Sequence, residues 1–450
     1  MVLSAQQEEI IEISKNLNDN EILKINAFAG TGKTTTLIQI TTAIYDKNFL
    51  YLAFNNDIVK EATKRFKKNV FTTTINSLAY REIVSKGGFK YSKESFTPLF
   101  ISEKLSIDFS DAYDTLRIYN LFCNSDYKSI DNLKDKYIPK RLESFEYAIK
   151  LYESILEKKI DCDHAFYLKE YELKEFAKQL KYDYILLDEA QDTNPVTLSI
   201  FNQLSGKKIL VGDTHQTIYQ FRDSVNAMEI VNSNYTCYLS ITYRCNKEIV
   251  SFANNVLKRY KKEKVDLISG ITNQDTFINE TAYITRTNAE IINLIQKLDD
   301  FNCLKKIDDI FGLSISVYLF IENKEIKKEK FKYLQKFKDI KSLETYADEV
   351  NDIELSGAIR NAKMYKGYLF VLQNKAKKNH RVNSKNILVT AHGSKGLEYD
   401  KVVVCKDFKE PIKYEKILEF ICESNLLYVV ITRAKKKIVF ESKVILDAIS

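Results

Sequence analysis

Glycine and proline are scarce, at 12 and 4 among 450 residues. So few chain breakers exclude a collagen-like or a Pro/Gly-rich disordered chain. No apolar run approaches the roughly 18 residues that a membrane span needs, so no membrane partner is expected. The N-terminus, Met-Val-Leu-Ser-Ala-Gln-Gln-Glu-Glu, has neither a basic region nor an apolar secretory core, which argues for a cytoplasmic location. The four histidines form no cluster, which speaks against a His-based metal centre. No two of the seven cysteines (123, 162, 237, 245, 303, 405 and 422) have C-x-x-C spacing, and they read as reduced thiols.

What is present is an ordinary globular composition, 45% hydrophobic and 29% charged. At about 100–200 residues per domain the length allows two to four domains. The net charge of +7, from 68 basic against 61 acidic residues, permits a polyanionic partner without demanding one. Taken alone it describes a Lys-rich solvated surface.

Short apolar runs recur and helical patterns lie between many of them. They include Ile22–Ile25, Leu50–Phe54, Val70–Thr74, Tyr184–Leu187, Lys208–Val211, Tyr238–Ser240, Ala282–Thr285, Ile387–Thr390, Val402–Cys405 and Ile438–Phe440. This alternation predicts an α/β fold of parallel sheets with helices on both faces. Two stretches interrupt it, about 80–170 and 289–384. Both are rich in helical spacing, and the second carries one strand-like run at Ser314–Ile321. They read as mainly helical insertions into two α/β cores.

The strongest signal is Ala29-Gly30-Thr31-Gly32-Lys33-Thr34-Thr35, which follows a strand and opens a helix. That context suits a phosphate loop. Gly30 and Gly32 let backbone N–H groups face phosphates, and the helix N-terminus adds positive potential. Lys33 is expected on the β- and γ-phosphates and Thr34 on Mg²⁺. Ala27 stands where the strict pattern has its first glycine. The apolar run Tyr184–Leu187 then ends in Asp188-Glu189-Ala190-Gln191-Asp192. Carboxylates at the C-terminal edge of a parallel strand sit where nucleotides bind. Asp188 is expected as the Mg²⁺ partner and Glu189 as the group that orients and deprotonates the attacking water. An acidic cluster after a strand is often only a favourably charged helix start. Paired with a phosphate loop, it reads as the other half of a nucleotide triphosphatase.

Further motifs follow in a fixed order. Leu3-Ser4-Ala5-Gln6-Gln7, Ala53-Phe54-Asn55-Asn56 and Thr74-Ile75-Asn76-Ser77-Leu78-Ala79 lie in the first part of the chain. Val211-Gly212-Asp213-Thr214-His215-Gln216-Thr217-Ile218-Tyr219-Gln220-Phe221-Arg222, Leu239–Arg244 and Ile284–Asn288 come next. Thr390-Ala391-His392-Gly393-Ser394-Lys395-Gly396-Leu397-Glu398-Tyr399 and Asn425–Ala434 complete the set. In this order they resemble the signatures of superfamily 1A DNA helicases of the UvrD, Rep and PcrA type. Their wording is most similar to the F-box DNA helicase branch, and the resemblance runs from Leu3 to Ala434.

The resemblance implies two RecA-like domains with ATP between them. Domain 1A would span 1–79 and 170–230, insertion 1B 80–169, domain 2A 231–288 and 385–450, and insertion 2B 289–384. It puts Gln7 on the adenine edge, Gln216 on the γ-phosphate, and Tyr243 against the adenine ring. Arg244 and Arg433 would neutralise the γ-phosphate, Glu398 would accept from the ribose hydroxyls, and Gly396 would admit backbone close to phosphate. For DNA it implies Phe54, Asn56, Thr74, Asn76, Tyr219, Phe221, Arg222 and His392. Phe221 stands where the motif more usually has Trp. The implied activity is ATP-driven 3′ to 5′ movement on single-stranded or tailed duplex DNA, in repair, recombination or replication. A translocase or motor subunit of a nuclease or phage-defence complex, with little unwinding of its own and a protein partner, is the second reading. A non-catalytic DNA-binding scaffold is the third, and intact Lys33, Thr34, Asp188, Glu189, Arg244 and Arg433 oppose it.

Overall fold

The apolar runs of the first half become strands because residues buried on both faces of a sheet must be continuously hydrophobic. In the computed structural model these strands are β1 (Ile22–Ala27), β2 (Phe49–Leu52), β3 (Val70–Thr73), β4 (Lys181–Leu187), β5 (Ser205–Gly212) and β6 (Tyr235–Leu239). They form one parallel sheet in the order β3-β2-β4-β5-β1-β6. The structure describes residues 3–93, 96–218, 225–272, 275–349, 352–414 and 416–450. The chain divides into two units, Met1–Phe28 with Gly32–Leu239, and Ala29–Thr31 with Ser240–Ser450.

In the first unit two apolar clusters cover the two faces of the sheet. Leu23, Ile25, Leu37, Tyr51, Leu186 and Val211 belong to one. Leu50, Leu52, Ile185 and Leu187 belong to the other, together with Ile118, Phe122, Phe145, Leu151 and Phe166 from the helices of the first insertion. That insertion, with helices Pro98–Leu105, Phe109–Asn124, Glu143–Leu156 and His164–Leu173, thus shares its core with the sheet. Its interior also holds Lys169, whose ammonium is buried against Glu172 at 3.0 Å and donates to the Ser125 carbonyl.

The second unit has a two-stranded pair, β7 (Ile241–Thr242) and β8 (Ile268–Ser269), and a five-stranded parallel sheet. The latter comprises β9 (Thr281–Thr285), β10 (Asn302–Cys303), β11 (Asn386–Thr390), β12 (Tyr399–Val404) and β13 (Ala434–Phe440), in the order β10-β11-β9-β12-β13. Helices Ile307–Ile321, Ile340–Glu349, Ile353–Tyr365 and Tyr368–Asn379 build the second insertion, part of which has its own cluster around Val317, Leu334, Leu343 and Ile359.

Three expectations change. The boundary expected at 230/231 moves to 239/240, because Tyr235–Leu239 pairs along β1 as the sixth strand of the first sheet. Within the stretch expected as an insertion, 289–384, Asn302–Cys303 pairs with β11 and so extends the second sheet. The strand-like run Ser314–Ile321 is the second half of the helix Ile307–Ile321, which buries Ile310, Phe311, Ser314 and Val317 at helical spacing. A short apolar run rich in β-branched residues fits either period, and here the 15-residue length decides it.

Candidate functional site

The loop after β1 is bent by two glycines in the left-handed region, Gly30 at φ +72° and Gly32 at φ +86°. Gly32 caps the helix Lys33–Ala43 with no side chain over its first N–H groups, which leaves them pointed outward. Ala29 and Thr31 are buried, and Thr34 and Thr35 lie half-buried in the first helical turn. The Thr35 hydroxyl accepts from the Arg65 guanidinium at 3.4 Å. Gln7 lies beside this loop. It closes a capping box with Ser4 and donates from Nε2 to the Thr36 hydroxyl at 3.1 Å. A side-chain amide carries two donors and two lone pairs, so these bonds use half of its capacity.

Lys33 Nζ lies 3.1 Å from a Glu189 carboxylate oxygen. Burial works against its ammonium, but the Glu189, Asp213 and Asp188 carboxylates outweigh burial and hold its pKa above the usual lysine value. Asp188 directly follows β4 and is buried. Burial, then the neighbouring Glu189 charge, push its carboxyl up to about 6, against the pull of Lys33 and Tyr51. The Tyr51 hydroxyl donates to Asp188 at 2.5 Å, and the Glu189 N–H donates to the same carboxylate at 2.9 Å. Glu189 itself sits at φ +52°, a conformation that costs a non-glycine residue about 1–3 kcal/mol and concentrates at functional sites.

A residue to which the sequence reading gave no role ties this cluster together. Gln191, fully buried, donates from Nε2 to Glu189 and Asp192, while its Oε1 accepts from the Asp213 N–H at 3.1 Å. It thereby links the turn after β4 to the turn after β5. Its only signal in the sequence was its place inside the acidic run. Gln216 follows in the β5 turn, buried, and its amide donates to Asp213 at 2.6 Å. His215 is buried with its ring stacked on Phe28 at 5.9 Å.

The donor set fits a divalent cation. Thr34 offers a hydroxyl in the first helical turn, and Asp188 is a buried carboxylate whose ionised form calls for added positive charge. Among the described residues there is no cluster of three or more His, Cys, Asp or Glu suited to a metal, so such an ion would need ligands beyond the protein.

The residues expected to meet DNA in the first unit lie on the loops after β2 and β3. Phe54 is 46% exposed, and Asn56 and Asn76 are exposed. Thr74 is different, because it is buried and caps the helix Ile75–Ala79, its hydroxyl accepting from the Ser77 N–H at 3.0 Å. Accepting that N–H leaves its O–H as a donor. Tyr219, Phe221 and Arg222 lie outside the described residues.

In the second unit Tyr243 is 54% exposed and its N–H donates to the Gly30 carbonyl at 2.9 Å. A Cβ on Gly30 would come within 2.5 Å of Arg244 Cβ, so this close approach requires glycine. Arg244 Nε donates to Glu398 at 2.7 Å and its NH1 to the Thr432 carbonyl. The expected ribose acceptor is therefore the ion-pair partner of the expected γ-phosphate arginine. Gly396 adopts φ +82°, and His392 begins the turn after β11. Arg433, 1% exposed, donates to the carbonyls of Val429 and Leu397 and to the Thr432 hydroxyl. It ties the end of the helix Ile417–Ile431 to the loop before β12.

Among the described residues no helix is long and apolar enough to cross a membrane. Two family models match the chain, the UvrD/REP helicase N-terminal domain over residues 134–235 and the UvrD-like helicase C-terminal domain over 302–443. The chain is 30% identical to "F-box DNA helicase 1" of Gallus gallus, across 96% of this chain and 48% of that protein. It is 28% identical to "F-box DNA helicase protein 1" of Schizosaccharomyces pombe, across 98% and 58% respectively. To "ATP-dependent DNA helicase PcrA" of Leuconostoc citreum it is 25% identical, across 54% and 38%. The chain thus spans about half the length of the first two of these relatives. Two parallel sheets, a glycine-bent loop whose Lys33 meets a carboxylate, and both matching models assign the chain to the UvrD-like helicase family, whose two RecA-like lobes its sheets represent.

Proposed function

We propose that the chain is an ATP-dependent DNA motor that moves 3′ to 5′ along single-stranded DNA and separates tailed duplexes, in repair, recombination or replication. The observation that carries the reading is the contact of Lys33 with Glu189 beside the buried Asp188, at the C-terminal ends of a parallel sheet. The cation that a phosphate would claim pairs with the carboxylate that would activate water. A phosphate taking Lys33 frees Glu189 to accept a proton, so binding and readiness for hydrolysis are linked through one ion pair. Mg²⁺, held through Thr34 and Asp188, would neutralise charge on the triphosphate. Arg244, which pairs with Glu398, is a candidate for charge on the γ-phosphate. On the DNA side, Phe54 offers a face for stacking, and Asn56 and Asn76 offer polar side chains to the backbone.

The decisive experiment measures phosphate release with and without oligo-dT, alongside unwinding of duplexes with 3′ or 5′ tails. DNA-stimulated hydrolysis with unwinding confined to 3′ tails supports the reading. Stimulated hydrolysis without unwinding selects the translocase or partner-dependent motor. Absence of hydrolysis removes the motor altogether.

A further inference from the structure

The strand β2 alternates its side chains between the two apolar clusters of the first unit. Leu50 and Leu52 belong to one, Phe49 and Tyr51 to the other. The Tyr51 ring is fully buried in that second cluster and lies 4.9 Å from the Phe66 ring. A phenylalanine would fill the same space. The hydroxyl is the one polar part of the side chain, and a buried hydroxyl is costly unless it finds a partner. Its partner is Asp188 at 2.5 Å, a separation that belongs to strong bonds with a charged acceptor. The register of β2 on β4 brings it there, because Tyr51 pairs with Leu186, two residues before Asp188. No motif singles out this tyrosine.

Asp188 is thereby held at three atoms. Its Oδ2 accepts from Tyr51, its Oδ1 accepts from the Glu189 N–H at 2.9 Å, and its own N–H donates to the Leu52 carbonyl at 3.1 Å. An ionised carboxylate has about four lone-pair sites, so roughly one remains on each oxygen.

We propose that Tyr51 is a positioning residue that makes Asp188 selective for Mg²⁺ over Ca²⁺. The inference rests on the ATP-hydrolysing reading above and adds the residue that decides which cation serves it. Mg²⁺ demands near-ideal geometry, whereas Ca²⁺ accepts flexible geometry and carboxylates that bind through both oxygens. A carboxylate anchored at both oxygens offers single lone pairs in fixed directions and cannot swing to chelate. Released at Oδ2 it can turn, which penalises the ion with strict demands and leaves the permissive ion served.

The test is isothermal titration calorimetry of the full chain with a non-hydrolysable ATP analogue in EDTA, in Mg²⁺ and in Ca²⁺. The gain in affinity from each cation is taken against the same variant's affinity in EDTA. In wild type the gain from Mg²⁺ should exceed the gain from Ca²⁺. Tyr51→Phe keeps the ring and should cut the Mg²⁺ gain roughly 10-fold while changing the Ca²⁺ gain by less than about 2-fold. Tyr51→Met removes the same hydroxyl with a flexible apolar chain and should show the same loss of selectivity. In an Asp188→Asn background, Tyr51→Phe should no longer alter either gain, because the hydroxyl acts through that carboxylate. Folded Tyr51 variants that keep the wild-type selectivity overturn the inference, as does a shift that persists in Asp188→Asn or a wild type that gains no more from Mg²⁺ than from Ca²⁺. A wild type that binds the analogue in none of these solutions overturns the ATP reading itself, and the inference with it.

Discussion

Lys33 and Glu189 face each other across 3.1 Å, and their removal should have different signatures. Lys33→Ala deletes the cation for the phosphates and should abolish hydrolysis. Glu189→Gln keeps the shape but cannot take a proton, so nucleotide binding should persist while turnover falls roughly 10²- to 10⁴-fold. Wild-type turnover in that variant would remove Glu189 from the role of base. The two arginines should also separate. Arg244 meets a half-exposed carboxylate and is available to charge elsewhere, so Arg244→Ala should cut turnover with little change in melting temperature. Arg433 is a buried tie between carbonyls, and Arg433→Ala should lower the melting temperature by several degrees as well as impair activity. Equal melting temperatures for both variants would contradict this division. Asp407 carries a pH prediction. It accepts from the N–H groups of Arg286 and Thr287 and from the Thr287 hydroxyl, yet burial, with a further push from Glu290, raises its carboxyl to about 6. The folded form then holds its proton more tightly than the unfolded chain, whose Asp titrates near 3.9. Its contribution favours the fold at low pH and is lost as pH rises from about 4 to 6. Carbon-13 titration of labelled aspartate should place its midpoint near 6, and one near 4 would sink the claim.

At the scale of elements, the loop after β3 contains two adjacent candidates with different jobs. Thr74 caps the helix Ile75–Ala79 and is buried, whereas Asn76 is exposed. Thr74→Ala should therefore cost about 0.5–2 kcal/mol of stability, and Thr74→Ser should restore most of it. Asn76→Ala should leave the melting temperature unchanged and weaken single-strand binding. If denaturant midpoints and anisotropy instead show both variants losing only DNA affinity, the hydroxyl of Thr74 contacts the strand after all. The same contrast holds after β4. The stretch Glu189–Asp192 is a tight turn whose polar side chains are locked by Gln191, so the acidic run is a wired part of the site and more than a charged helix start.

Across the whole molecule, DNA occupancy and nucleotide state are expected to report on each other. Gln216 lies in the turn after β5, bonded to Asp213, and Tyr219 and Phe221 follow it within five residues. Tyr219→Ala and Phe221→Ala should each weaken single-strand binding by about 1–3 kcal/mol, to a similar degree for different base sequences. They should also lose most of the stimulation of phosphate release by oligo-dT. Normal binding and normal stimulation in both variants would assign these rings elsewhere.

The phosphate loop was legible because its determinants are local. Two glycines in left-handed conformations, a lysine and a helix start lie within four residues, and backbone sterics alone favour that arrangement. The apolar runs were legible as strands for the same reason, since burial on both faces leaves its mark in composition. The sheet to which Tyr235–Leu239 belongs was not, because an apolar run does not name its neighbour. Nor was Ser314–Ile321, where β-branched residues fit either period. Contacts between residues far apart in the chain had no sequence signal at all. The Gln191 bridge to Asp213 and the tie of buried Arg433 to the Leu397 carbonyl are of this kind. Residue type and spacing determine what one stretch of backbone can do by itself. Which polar groups share a partner is decided only when the tertiary fold removes water from around them and each must find another.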